Sequence, residues 1–475
     1  HVVPDQPRIR RILLLILVFV LFPLAGDDFA QREQFVLAAF LPYLLGVAVR
    51  VRGGTPPAGA LATMVGMLAG LAVALKPHFG LLWLAVEAWQ RLRRPGRRLG
   101  ATLESVSAVG FLVAYAAAVV VLAPDYLRLA MELGPAYTTF LHEPWYRLLA
   151  LAPGAALVWF ALLAALALRR SVVEPEIVAL MAVAVAAAFA AGAAQQKGLP
   201  YHYLPVRSLA FLLLAVVGLG SKPPSSVAER LYARVGRILL VTMILVIPAR
   251  ATLTALGVLT PAQRRVREEV FELADFVRAR AGGQPVGVLS YHIASAFPMV
   301  SYAGVTLASR FPHLWLLPAS YWREFGKEGP LRYHRAEVMP PQERYLNQAV
   351  REDLLRARPR LLLVMRPARD VKTNYLRRIH YIEYFGRDPE LNRFFGDYQR
   401  VAVKGEYDVY ERLGPAGKRV GDPPSRTAGS LDVKSPERLR LAVISQDFTA
   451  GLSIFVMLWI FTAYRERRRA PRGSP

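Results

Sequence analysis

Residues 174–220 read EPEIVALMAVAVAAAFAAGAAQQKGLPYHYLPVRSLAFLLLAVVGLG: two apolar runs, 174–194 and 205–220, separated by a short loop crowded with amides, cations and aromatic rings. A helix needs roughly 20 apolar residues to cross ~30 Å of hydrocarbon at ~1.5 Å of rise per residue. The stretch therefore reads as span, turn, span. Outward from it, similar runs lie near 11–26, 34–50, 58–75, 78–92, 104–123, 147–168, 236–257 and 439–463, which predicts about ten spans. The fourth is short and joined to the third through Lys76-Pro77-His78, the pattern of a broken or re-entrant pair. The composition agrees, because 475 residues that are 54% hydrophobic are too apolar for an ordinary soluble enzyme.

The expected fold is a polytopic α-helical membrane bundle of about 10 spans with an α/β domain near the C-terminus. Residues 1–257 form the bundle, 258–413 the domain, 414–438 a linker rich in Pro, Gly and charge, 439–463 the last span and 464–475 a basic tail. The net charge of +24 could suggest nucleic acid, but its distribution argues against that partner. Basic clusters fall at alternate span ends: Arg8, Arg10 and Arg11; Arg50 and Arg52; Arg91 to Arg98; Arg169 and Arg170; Lys222 to Arg237; Arg465 to Arg469. Placing all of them on one side satisfies the positive-inside rule. Both termini are then cytoplasmic and the α/β domain periplasmic, as in a protein of a bacterial inner membrane. The remaining cations suit membrane lipid or an anionic lipid-linked substrate. There is no cysteine, so no disulfide or thiol chemistry is available. The chain starts at His1 without a cleavable signal pattern, which leaves room for residues or spans upstream.

Within the domain, Val266, Val270, Leu273, Phe276 and Val277 have helical spacing over 261–280, and Gly282-Gly283 ends the run. Buried strands are predicted at Val286–Ser290 and Leu361–Val364, with a weaker one at Val305–Ser309. Tyr398–Val403 and Tyr407–Arg412 flank Lys404-Gly405-Glu406, a hairpin signal.

Chemistry belongs in the outward loops, where ionisable residues at membrane depth are costly. The first loop holds Asp27 and Asp28, either of which can serve as a general base or hold a divalent cation, with Arg32 as a tuning neighbour. The bland alternative is that Asp28 caps the second span, Gln31 completes the box, and Arg32 pairs with Glu33 on the surface. Lys76 and His78 meet where two apolar runs join; Lys76 either reaches a phosphate or snorkels. The loop with Gln195, Gln196, Lys197, Tyr201, His202, Tyr203 and Arg207 is a dense donor array suited to a phosphate joined to sugar hydroxyls. Its bland alternative is an interfacial tyrosine belt. Asp125, Glu132, His142 and Glu143 give weaker signals, and no nucleotide-loop or metalloprotease motif occurs.

Gly26-Asp27-Asp28-Phe29-Ala30-Gln31-Arg32-Glu33, Lys76-Pro77-His78-Phe79, Gln196-Lys197-Gly198 with Tyr201-His202-Tyr203-Leu204-Pro205, and Ser309-Arg310-Phe311-Pro312 with Leu314-Trp315-Leu316-Leu317-Pro318 together resemble the GT-C glycosyltransferase superfamily, in particular an uncharacterised bacterial group within it. That resemblance implies a polyprenyl-phosphate sugar as donor and a glycan, lipid or protein acceptor. It also implies inversion at the anomeric carbon, with Asp28 or Asp27 as base. Arg32, Lys76, His78, Gln196, Lys197, Tyr201, His202 and Arg207 would then hold the lipid phosphate and sugar. No resident cofactor or metal ligand set is assigned. Two other classes compete. A non-catalytic scaffold would use the periplasmic domain to bind protein partners; a lipid-linked sugar transporter would need a second broken pair in a related half, which the sequence lacks.

Overall fold

The structure is a computed structural model that describes residues 7–93, 101–168, 172–220, 261–325, 331–368 and 375–413, with isolated positions 246 and 249. The expected spans 236–257 and 439–463, the linker 414–438, the tail 464–475 and the Arg169-Arg170 and 222–237 clusters lie outside the described residues. The chain divides into two compact units. Among the described residues, one holds those up to 127 and from 142 to 249; the other holds 128–141 and 261–413.

The first unit is helical: α1 Pro7–Leu21, α2 Arg32–Val51, α3 Gly59–Leu75, α4 Gly80–Leu92, α5 Leu103–Leu122, the start of α6 Pro124–Thr139, α7 Trp145–Leu151, α8 Ala155–Leu168, α9 Pro175–Ala194 and α10 Leu204–Leu219. Among the described residues, four helices are long and apolar enough to cross a membrane: Arg32–Val51, Leu103–Leu122, Pro175–Ala194 and Pro200–Leu219. The expected span 147–168 is two helices, Trp145–Leu151 and Ala155–Leu168, bent by 73° and together long and apolar enough to make a fifth span. Pro153 has no N–H to continue the ladder, and Gly154 takes a left-handed φ of 88° that a side chain disfavours. Arg11–Leu21 and Gly59–Leu75 are shorter apolar helices.

Small residues let α3 and α5 approach closely. A Cβ on Gly66 would stand 2.2 Å from the Glu104 carbonyl oxygen, and one on Gly70 would stand 2.8 Å from that of Ala108. This is the small-xxx-small device by which helices pack in lipid, where apolar burial supplies no drive. Gly66→Ala therefore forces the helices apart, and its detergent-solubilised form should lose monodispersity at a lower temperature than wild type. Overpacking of this kind typically costs about 1–3 kcal/mol. An unchanged melting profile would mean that the close approach contributes nothing.

A buried polar network, not anticipated from the sequence, joins α2, α4 and α5. The Glu87 carboxylate accepts hydrogen bonds from Tyr43, from Ser105 Oγ at 3.0 Å and from Gln90 Nε2 at 2.7 Å. Arg50 Nη1 lies 2.7 Å from Glu104 Oε1.

The second unit is an α/β domain whose sheet runs β1-β2-β4-β3, with β1 Val286–Leu289, β2 Leu361–Met365, β3 Tyr398–Lys404 and β4 Tyr407–Arg412. β1 and β2 are parallel, while β4 is antiparallel to both its neighbours. Every residue of β1 and β2 is buried, as strands covered on both faces require. The helix Pro341–Ala357 lies in the crossover between them and contributes Leu346, Val350 and Leu354 to the core; Pro261–Ala281 contributes Leu273 and Val277. Gly405, at φ 52°, makes the two-residue turn of the β3–β4 hairpin. Val305–Ser309 corrects the expectation of a third strand. Only Leu307 bridges to Val286, so this segment borders β1 without forming a ladder.

Two of the quoted motifs serve packing here. Arg310 holds the buried carboxylate of Asp353 through Nε at 3.0 Å, Nη2 at 2.9 Å and its backbone N–H at 2.8 Å, pinning the segment to Pro341–Ala357. Trp315 packs against Tyr137 and Phe140. Residues 128–141 thus belong to the domain's own core, with Ala136 buried in it.

Candidate functional site

Three chain connections meet at one end of the bundle: the two-turn 3-10 helix Pro23–Asp28 leading into α2, the turn Pro77–Phe79 between α3 and α4, and the loop from Gln195 to Tyr203 between α9 and α10. Each carries a proline that ends regular helix and leaves polar groups to be satisfied locally.

Asp28 is not the cap of α2. Gln31 occupies that position and makes no side-chain cap bond. The local capping is done by Gln34, whose Oε1 accepts from the Ala30 N–H at 2.5 Å and whose Nε2 donates to the Leu21 carbonyl at 2.5 Å. Asp28 instead accepts from Arg207 Nη2 at 2.9 Å, bridging the first loop to α10. Arg207 also crosses Gly154, where a Cβ would stand 2.4 Å from its Cγ. The expected Arg32–Glu33 surface pair is likewise replaced. Helical geometry turns Glu33 inward, where it is buried and meets Lys76 Nζ at 2.5 Å, while Arg32 is exposed. Lys76 is itself buried, so it does not snorkel, and its Nζ lies 5.6 Å from the Tyr201 ring centre. Glu33, buried against Lys76, belongs to this site although its sequence context suggests only a surface pair. Its one available signal was its place at the mouth of a span, one turn beyond the aspartates.

Lys197 is 2% exposed and His202 is 0% exposed. Burial draws the Lys197 ammonium down to about 8. Lys76, His78, Lys197 and Arg32 are all near enough to act electrostatically on His202. Gln196 adopts a left-handed φ of 52°, and its carbonyl accepts from the Glu143 N–H at 2.8 Å. The geometry therefore brings together Asp28, Arg32, Lys76, His78, Lys197, Tyr201, His202 and Arg207, with Glu33 added. The side chain of Asp27 lies outside the described residues. Among the described residues, no three His, Asp or Glu side chains are grouped to hold a metal ion.

Many hydrogen bonds at this end are unmade. Glu33 Oε2, His78 Nε2, Gln195 Nε2, both ring nitrogens of His202, Tyr203 Oη, Arg207 Nε and Ser208 Oγ are buried without a partner among the described residues. Together they exceed half of all such atoms described in the molecule. Buried polar atoms are normally satisfied, so this concentration marks a place for water or a polar ligand. Donors outnumber acceptors and the cations Arg32, Lys76, Lys197 and Arg207 surround it, so the chemistry suits an oxyanion carrying hydroxyls.

The Lys197 ammonium gives this site a pH dependence. It is charged below about 8 and loses its proton as the pH rises through that value. Binding of an oxyanion at this site should therefore weaken between pH 7 and 9. Lys197→Arg, which keeps its charge, should flatten that profile; an unflattened profile assigns the titration to another group.

Compared with known protein families, curated proteins and solved structures, this chain matches none.

Proposed function

We propose that this chain is a membrane glycosyltransferase of the GT-C type that takes a sugar from a polyprenyl-phosphate donor on the periplasmic face of a bacterial inner membrane. The observation that carries this reading is the concentration of buried polar atoms without a hydrogen-bond partner among the described residues, with cations beside them, where the first loop, the Lys76 turn and the 195–207 loop meet. In the proposed reaction a first-loop carboxylate, Asp28 or Asp27, takes the proton of the acceptor hydroxyl. The acceptor oxygen attacks the anomeric carbon from the face opposite the leaving group, and the bond from that carbon to the phosphate oxygen breaks. Lys197, Lys76 and Arg207 carry the charge that develops on the lipid phosphate. Asp28 keeps its second carboxylate oxygen for the acceptor while Arg207 engages the first. Glu33 holds the Lys76 ammonium in place. About ten spans, cytoplasmic termini and a periplasmic α/β domain complete the arrangement.

Donor retention tests the binding half of this reading. Lys197→Ala should lower retention of a radiolabelled polyprenyl-phosphate sugar at pH 7 by roughly ten- to a hundredfold, as expected when a charge-assisted hydrogen bond worth ~1.5–3 kcal/mol is removed. Unaltered retention would take Lys197 out of the site. The topology is tested separately with reporter tags. Those after Arg98, Arg170 or Pro475 should report cytoplasm, and those inside 260–435 the opposite side; one swapped pair would break the span assignment.

A further inference from the structure

At the far end of the bundle from Lys76 and His202, α4, α8 and α9 line an open cavity of about 650 Å³. α4 begins beside that site at Gly80 and α9 ends beside it at Ala194, so at ~1.5 Å per residue the cavity lies roughly 15–25 Å away. Its walls are apolar, with Leu162, Leu166, Val178 and Val183 among them, and Trp89 and Arg93 stand at its rim. The Arg93 guanidinium sits 5.9 Å from the Trp89 ring centre and 3.4 Å from Glu176 Oε1. In sequence Arg93 is followed by Arg94, Arg97 and Arg98, which lie outside the described residues.

We propose that this cavity seats one acyl chain of an anionic phospholipid, with the lipid phosphate taken by Arg93. The walls offer a chain mainly apolar contact, with the charged groups of Arg93 and Glu176 on one side. The rim offers a cation whose exposed partner, Glu176, is cheap to exchange, since exposed ion pairs are worth little. A volume of this size falls within the ~300–1,000 Å³ of ordinary ligand pockets. The proposal rests on the bundle lying in a bilayer and is independent of the transfer reaction.

Quenching of tryptophan fluorescence by lipids brominated in their acyl chains tests it, with purified full-length protein reconstituted into phosphatidylcholine vesicles containing brominated phosphatidylglycerol or brominated phosphatidylcholine. The component lost in Trp89→Phe should be quenched at a brominated phosphatidylglycerol fraction about fivefold lower than is needed with phosphatidylcholine, the factor expected of one basic side chain near an anionic surface. Arg93→Gln should remove that preference while leaving quenching by phosphatidylcholine intact. Equal quenching by the two lipids in wild type overturns the headgroup assignment, and an unquenched Trp89 component overturns the acyl-chain site. Trp159, exposed on α8, separates the two possible failures. Quenching that persists in Trp89→Phe and is reduced by a further Trp159→Phe shows the bundle in the bilayer with the cavity closed to lipid, whereas no quenching of any tryptophan removes the bilayer placement itself.

Discussion

Asp28→Asn is expected to leave the bundle folded and to lower sugar transfer by about 10²–10⁴, the usual worth of a positioned general base. Asparagine keeps the size of the side chain and a carbonyl oxygen for Arg207 Nη2, which lies 2.9 Å from Asp28 Oδ2. It loses only the ability to take a proton. Since Gln31 holds the cap position of α2, the substitution does not disturb that helix start. A purely structural Asp28 predicts that Arg207→Gln reproduces the loss. A base predicts that Asp28→Asn acts on kcat while Arg207→Gln acts mainly on donor affinity. Asp27→Asn is made in parallel; full activity in both variants takes the aspartates out of the chemistry.

The second large effect is structural. Glu33 and Lys76 are both buried and meet at 2.5 Å, so removing either partner strands the other as an unpaired charge. Breaking such a pair typically costs about 3–5 kcal/mol, whereas replacing both partners with apolar side chains is often close to neutral. Glu33→Leu and Lys76→Met are each expected to unfold at clearly lower temperature or denaturant than wild type. The double variant should recover most of that stability but not donor retention, because the cation is gone. If the single variants prove as stable as wild type, the pair is not buried as described.

Much of this architecture is legible in the sequence because burial leaves a periodic trace. The helix Pro261–Ala281, the strands β1 and β2 and the β3–β4 hairpin all follow from apolar spacing and turn residues. Val305–Ser309 has the composition of a strand, but a single bridge from Leu307 to β1 is all that forms, since ladder pairing depends on neighbours that local pattern does not specify. The polar site is legible by type and not by pairing. Lys76, Lys197, His202 and Arg207 stand out as ionisable residues between apolar runs. That Glu33 would pair with Lys76, and Asp28 with Arg207, depends on contacts across 43 and 179 residues of sequence that no local signal encodes. The same holds for residues 128–141, whose Ala136 joins the domain core although the flanking sequence reads as a loop of the bundle.

The most direct measurement is sugar transfer by the purified full-length protein in proteoliposomes, supplied with a panel of polyprenyl-phosphate sugars and candidate glycan, lipid and protein acceptors, with the anomeric configuration of the product determined. Transfer from at least one donor, a product of inverted configuration, and loss of that transfer in Asp28→Asn or Asp27→Asn are the expected results. A product of retained configuration would contradict the one-step mechanism, and wild-type protein that neither retains nor consumes any of the donors would contradict the enzyme reading and favour a scaffold.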